Sequence, residues 1–170
     1  MKENIYGLTV IVPFFNEEIT LKKSIIRLNE VTIIKEIFLV DDCSIDRSPK
    51  IGKLLEKNIN KVRYFKTHKN LGKGGAVVYP LKEVKTSHIV IHDADLEYNP
   101  NDIYRIFNAL TSNELIILGT RFDFRNKNEV KMNLTLEYIE KVSTKLFNKL
   151  FNTNLTDIGS GYKLIPTDFL

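Results

Sequence analysis

Cysteine is almost absent: Cys43 is the only one in 170 residues. One thiol cannot close an internal disulfide, and such a chain fits a reducing cytosol. Long apolar runs are missing as well. The longest fall far short of the roughly 20 residues that cross a bilayer, which predicts no transmembrane helix. The N-terminus, Met1-Lys2-Glu3-Asn4, leads into a strand-like run interrupted by Pro13 and acids, and does not read as a signal peptide. Repeats, low-complexity tracts and domain boundaries are lacking, so residues 1–170 read as a single domain. No basic cluster alternates with aromatics, which argues against a nucleic-acid groove. What is present is ordinary for a soluble globular protein: 43% hydrophobic and 27% charged residues, against disorder. The formal charge of +4 suits anionic ligands such as nucleotide diphosphates, or an acidic membrane surface, although a solvated lysine-rich surface explains most of it.

The chain is organised around His88-Ile89-Val90-Ile91-His92-Asp93-Ala94-Asp95-Leu96. The apolar run suits a strand buried on both faces of a parallel sheet. Asp93 and Asp95 then fall at its C-terminal end, where open α/β sheets bind ligands. Two carboxylates there can hold a hard cation such as Mg²⁺, whose shell is completed by phosphates and water. Asp-x-Asp is also a common tripeptide that merely begins loops. Around it, Leu8 to Val12, Ile37 to Val40, Val62 to Phe65 and Leu115 to Leu118 read as further strands, with Pro13 ending the first. Helices are expected from Asn16-Glu17-Glu18, where acids match the dipole; from Ser48 with Pro49 first and Ile51, Leu54 and Leu55 inward; from Ala76 to Val84; and from Pro100-Asn101-Asp102. Tyr138, Val142, Leu146 and Leu150 share one helical face, which predicts core. The polar segment 122–130 reads as a mobile loop at the site's edge. Strands alternating with helices give an α/β fold with a mainly parallel sheet. The strand ends at Pro13 to Glu18, Asp41-Asp42 and Asp93/Asp95 then meet at one rim.

Six pieces in order resemble the inverting nucleotide-sugar glycosyltransferases of family 2: residues 10–18, Val40 to Asp46, Asn70-Leu71-Gly72-Lys73-Gly74-Gly75-Ala76, Asp93-Ala94-Asp95-Leu96, Gly119-Thr120-Arg121 and Asp157 to Lys163. The resemblance runs from about residue 8 to the end, toward dolichyl- or polyprenyl-phosphate sugar transferases and related bacterial polysaccharide enzymes. It implies the nucleotide-diphosphosugar transferase (GT-A) fold. It places Pro13, Phe15, Glu17 and Asp42 around the base and ribose, with Asp41 close by. Asp93 and Asp95 would hold Mg²⁺ or Mn²⁺ against the diphosphate, Lys73 and Gly74 would approach the sugar nucleotide, and Arg121 would face the transferred sugar or an acceptor phosphate. Asp157 would be the general base for a sugar-hydroxyl acceptor, or a structural acid if the acceptor is a lipid phosphate. The implied partners are a nucleotide diphosphosugar and a lipid-phosphate or glycan acceptor, with peripheral association at the cytoplasmic face of a membrane and no nucleic acid.

Several positions depart from the family's pattern. Phe15 stands where tyrosine is frequent, and Cys43 where glycine is common. Glu137-Tyr138-Ile139-Glu140-Lys141 replaces the Arg and Ser that polyprenyl-phosphate enzymes carry before the last motif. Family members usually continue past that motif, which implies a truncated chain or a compact catalytic module. Two alternatives stand beside transfer: a sugar-nucleotide-forming nucleotidyltransferase, and an inactive nucleotide-binding subunit. The first favours a Gly- and Arg-rich loop after the first strand, which Pro13-Phe14-Phe15-Asn16 is not.

Overall fold

The computed structural model describes residues 5–112, 115–121 and 134–170. The expected loop at 122–130 lies outside them. Among the described residues, six strands form one sheet: β1 (Ile5–Phe14), β2 (Ile34–Asp41), β3 (Val62–Lys66), β4 (Thr86–Ile91), β5 (Ile117–Leu118) and β6 (Lys163–Pro166). Their spatial order is β3-β2-β1-β4-β6-β5. The first four run parallel, while β6 is antiparallel to both β4 and β5. The described residues also form the α-helices α1 (Leu21–Asn29), α2 (Ser48–Asn58), α3 (Gly72–Val78), α4 (Asp102–Asn108) and α5 (Leu134–Phe151). Among the described residues, no helix is long and apolar enough to cross a membrane.

Side-chain alternation along the central strands divides the core. Val10, Val12 and Phe14 of β1 join Leu21, Ile25 and Leu28 of α1, Leu55 of α2, and Ile103 and Phe107 of α4 on one face. Ile11, Phe38, Val40 and Ile89 join Ala76 of α3 and Val84 on the other. Each fully buried Leu or Ile contributes roughly 1.5–3 kcal/mol relative to exposure. These two faces align β1, β2 and β4 so that all three end on one rim.

The structure corrects several expectations. Pro13 lies inside β1, paired with Val40. Ile11 accepts the His92 N–H and Phe14 the Asp42 N–H. By alternation, Pro13 therefore turns its missing donor toward the β4 side, past the last β4 pair, Ile11 with Ile91. The acids Glu17 and Glu18 precede α1, whose first turn carries none; Glu17 instead accepts the Leu21 N–H at its carbonyl. Leu54 points outward, 56% exposed. The Gly-Lys-Gly-Gly stretch opens α3, and Pro80 stops the helix well before Val84 by removing a donor. A separate 3₁₀ turn covers Leu81–Glu83. The strand β6 is an addition that no sequence pattern announced. The predicted core face of α5 is solvent-facing: Tyr138, Val142, Leu146 and Leu150 are 71%, 48%, 56% and 69% exposed.

Candidate functional site

The loops after β1 and β2 are stitched to each other. Ser44 Oγ accepts the Asn16 N–H at 3.0 Å, and Ser48 Oγ accepts the Glu17 N–H at 2.7 Å. Asn16 Oδ1 accepts from the Ile45 N–H, and Glu18 Oε2 from the Arg47 N–H. Asn16 and Cys43 both adopt left-handed backbone angles, φ 58° and 65°. That conformation explains why glycine suits the Cys43 position.

A cleft of about 270 Å³ opens beside these loops. Its walls are Pro13, Phe14, Phe15, Glu17, Asp42, Lys73, Ala76, Asp93, Ala94 and Asp95. Residues from four separate stretches thus converge as the rim argument requires. Asp42 is buried, and its Oδ1 accepts the Leu71 N–H at 2.8 Å and the Thr67 hydroxyl at 2.9 Å. This ties the β2 end to the entrance of α3. Gly72, at φ +71°, makes the left-handed turn there with open space around it. Lys73 reaches across the cleft, its Nζ lying 2.6 Å and 2.8 Å from the two Asp93 oxygens. Asp95 is exposed, and its Oδ1 accepts the Glu97 N–H. Leu96 follows at φ 70°, a strained value for a residue with a Cβ.

Not every expected residue joins this cleft. Asp41 is fully buried beneath it, accepting the Tyr64 hydroxyl at 2.6 Å and the Ser44 N–H at 2.8 Å, with Lys66 at 3.8 Å. Burial, and then the Asp41 carboxylate, push the Tyr64 pKa up. Gly74 is exposed on α3 and is not among the lining residues. Arg121 and Asp157 form a pair of their own. Asp157 Oδ2 accepts the Arg121 backbone N–H at 2.9 Å and its Nε–H at 2.8 Å. Asp157 Oδ1 accepts the Nη2–H at 2.8 Å and the Gly159 N–H at 3.1 Å. Glu140 of α5 adds a second carboxylate 3.3 Å from Nη2. Burial pushes Asp157 up, but the Arg121 bonds outweigh it and hold the carboxyl below its ordinary value. The same bonds raise Arg121.

Sequence reasoning assigned no role to Lys163 or Tyr162, and to His92 only packing or hydrogen bonding at a strand end. Lys163 of β6 is half-buried and donates to the Ser160 carbonyl. Burial and then the Lys73 charge lower its pKa, against the pull of Asp93 and Asp157. His92 and Tyr162 pack behind the Asp93 loop. Burial pushes His92 down to about 4 although Asp93 pulls upward, so the imidazole is neutral at neutral pH. The Asp157-to-Lys163 motif pointed at Lys163 and Tyr162, and the adjacency to Asp93 pointed at His92.

The donor set suits a small hard cation. Asp93 and Asp95 offer carboxylate oxygens to one cleft, and Lys73 already stands as a counter-charge to Asp93. Among the described residues no three His, Cys, Asp or Glu side chains gather around one point. Two carboxylates fit Mg²⁺ or Mn²⁺ shared with phosphates and water, rather than a closed zinc site.

Comparison with known proteins bears on the family and the fold. Residues 9–170 match the profile of "Glycosyl transferase family 2". A dolichol-phosphate mannosyltransferase of Mycosarcoma maydis is 30% identical over 122 residues, covering 67% of this chain and 42% of the relative. An undecaprenyl-phosphate 4-deoxy-4-formamido-L-arabinose transferase of Photorhabdus laumondii is 28% identical over 124 residues, covering 70% and 38%. The chain thus spans about two fifths of the length of these curated relatives. Glucosyl-3-phosphoglycerate synthase of Mycobacterium tuberculosis, solved with Mn²⁺, UDP and glucosyl-3-phosphoglycerate, superposes with TM-score 0.71 at 18% identity, covering 97% of this chain and 58% of that one. A mannosyltransferase of Pyrobaculum calidifontis, solved with GDP-Man and Mn²⁺, gives TM-score 0.50 at 24% identity over 54% and 28%. The fold is the GT-A fold, and the chain belongs to glycosyl transferase family 2.

Proposed function

We propose that this chain carries the donor half of an inverting glycosyltransferase that moves a sugar from a nucleotide diphosphosugar to a lipid phosphate. The observation that carries the reading is the single cleft that joins Pro13, Phe15, Glu17 and Asp42 to Lys73, Asp93 and Asp95. Asp42 accepts hydrogen bonds from the nucleoside. Phe15 offers an apolar surface to the base without a hydroxyl. Lys73 swings from Asp93 toward the diphosphate. Asp93 and Asp95 would hold Mg²⁺ or Mn²⁺, which when bound supplies Lewis-acid neutralisation of the leaving diphosphate. An acceptor oxygen forms the bond to the anomeric carbon from the opposite face. The bond from that carbon to the donor diphosphate breaks, and its electron pair leaves with the nucleotide.

The state of Asp157 supports phosphate over hydroxyl as the acceptor. Its two oxygens take four N–H donors, which fill its lone-pair positions. A saturated, acid-shifted carboxylate makes a poor proton acceptor. A phosphate is anionic at neutral pH and needs no base. The names of the curated relatives, with dolichol-phosphate and undecaprenyl-phosphate in them, favour the same acceptor class.

A lipid acceptor brings the chain to the cytoplasmic face of a membrane. The outer face of α5 supports that placement: apolar Ile139, Val142, Leu146 and Leu150 are exposed, flanked by Lys145 and Lys149, while Lys141 is ion-paired with Glu137 and Glu140 lies on the half-buried side. Apolar and cationic side chains sharing an exposed helix face suit an anionic lipid surface.

Calorimetric titration of nucleoside diphosphates tests the donor reading. Binding is expected to tighten with Mn²⁺ or Mg²⁺ and to lose that gain in chelator and in Asp95→Ala. Equal affinities in all three conditions would sink it.

A further inference from the structure

A hydrogen-bonded clasp runs behind the Asp93–Asp95 loop. His92 directly follows β4, and its ring bridges two segments: Ser24 Oγ of α1 lies 3.1 Å from Nε2, and the Tyr162 hydroxyl, just before β6, lies 3.0 Å from Nδ1. The Tyr162 hydroxyl has one proton and donates it to the Asn99 carbonyl at 3.1 Å. Nδ1 therefore carries the ring proton and donates to Tyr162, while Nε2 accepts from Ser24. All three side chains are at most 3% exposed. At the other end of the loop, the Tyr98 hydroxyl accepts the Gly161 N–H at 2.8 Å. The rings pack in sequence, His92 stacked on Tyr162 at 5.6 Å and Tyr162 tilted against Tyr98 at 4.8 Å. Gly161 permits the approach, since a Cβ there would come 2.7 Å from the Tyr98 ring.

Gly161 and Tyr162 thus grip residues 92–99 at both ends, and the two cleft carboxylates lie between the grips. We propose that Tyr162, acting through His92, Asn99 and Ser24, is a positioning residue that sets the Asp93 and Asp95 carboxylates for their cation. The inference rests on the proposed metal-assisted donor site. Its physical basis is preorganisation. Two carboxylates on a loop must be held at fixed separation to share one ion, and the backbone of this loop is strained at Leu96. Partners behind metal ligands commonly change metal affinity about 10- to 100-fold when removed. Tyr162 also connects the loop to the turn that carries Asp157, so donor and acceptor sides share one short segment.

The test is the Mn²⁺ dependence of nucleoside diphosphate affinity, measured by calorimetry on the whole chain. Tyr162→Phe keeps the ring and removes the hydroxyl. It is expected to lower the Mn²⁺-dependent gain about tenfold while leaving binding in chelator unchanged. Ser24→Ala lies on α1, away from the cleft, and is expected to lower the same gain by a smaller factor; it keeps the test decisive if Tyr162→Phe unfolds. Equal losses with and without metal, or an unchanged Mn²⁺ gain in both variants, would overturn the positioning role. A wild-type chain lacking any Mn²⁺ gain would overturn the donor-site reading itself, and the two failures are thereby told apart.

Discussion

Asp157→Asn is the perturbation that discriminates most sharply between acceptor chemistries. The side chain is 1% exposed and serves four N–H donors, three of them from Arg121. Asparagine keeps one oxygen, so two of the four donors face an amide NH₂ instead. Charge-assisted hydrogen bonds contribute about 1.5–3 kcal/mol each. Removing one partner of a fully buried pair costs roughly 3–5 kcal/mol. Arg121 retains some solvent access and keeps Glu140 at 3.3 Å, which brings the expected loss to about 2–4 kcal/mol. In urea, with a slope of about 1–3 kcal/mol per molar, that is a midpoint lower by roughly 1–2 M. The loss has a pH signature. Asp157 titrates below its ordinary 3.8 in the folded chain, so its stabilisation is fully present above the unfolded value and disappears as pH falls through the folded one. Wild type and variant should therefore differ near neutrality and converge in strong acid. Where the variant remains folded, single-turnover transfer to a lipid phosphate should persist. Unchanged stability with transfer reduced about 10²- to 10⁴-fold, the usual cost of losing a general base, would refute the reasoning and make Asp157 the base.

Other predictions concern the cleft and α5. Asp42→Ala removes the acceptor of Thr67 Oγ and the Leu71 N–H; nucleotide binding in chelator should weaken about tenfold, whereas unchanged affinity in a folded variant reduces Asp42 to a turn former. Lys73→Met removes the counter-charge from Asp93; Mn²⁺ alone should bind more tightly and nucleoside diphosphate more weakly, both readable by calorimetry, and a parallel loss of both would contradict the swing of Lys73. For α5, flotation with vesicles containing anionic lipid should exceed flotation with neutral vesicles. Reversing Lys145 and Lys149 to Glu should cut it roughly tenfold or more, at about 1 kcal/mol for each lysine near the surface, and equal flotation would remove α5 from the membrane reading.

The convergence of residues on one cleft was legible because a parallel sheet converts sequence order into geometry. Asp42, Asp93 and Asp95 each follow an apolar run, and runs that pair in parallel end on the same rim. Asp41 shows the limit of that logic. It is adjacent to Asp42 and chemically identical, but alternation turns it under the cleft onto Tyr64. The order of β6 was not legible because four residues ending in a proline carry little strand signal, and its partners β4 and β5 lie far back in the chain. Periodicity also misled at α5. An apolar stripe reports what a helix face is made of, and the stripe of Tyr138, Val142, Leu146 and Leu150 faces solvent in this chain.

Contacts at long sequence separation were the least readable, and they give the site its chemistry. Arg121 read from sequence as either an ion pair or a guanidinium for phosphate, and nothing there named its partner; Asp157, 36 residues on, takes it in a bidentate grip. That pairing changes both residues at once. It fills both Asp157 oxygens with N–H donors, and it leaves Arg121 with a net local charge set by two carboxylates, Asp157 and Glu140. A cation so compensated attracts an anionic acceptor weakly. The half-buried Lys163, six residues beyond Asp157, donates to the Ser160 carbonyl within the same turn. The turn from Asp157 to Lys163 thus contributes an arginine-paired carboxylate at its start and the Gly161 and Tyr162 clasp behind the Asp93 loop, in an order that only the folded turn makes intelligible.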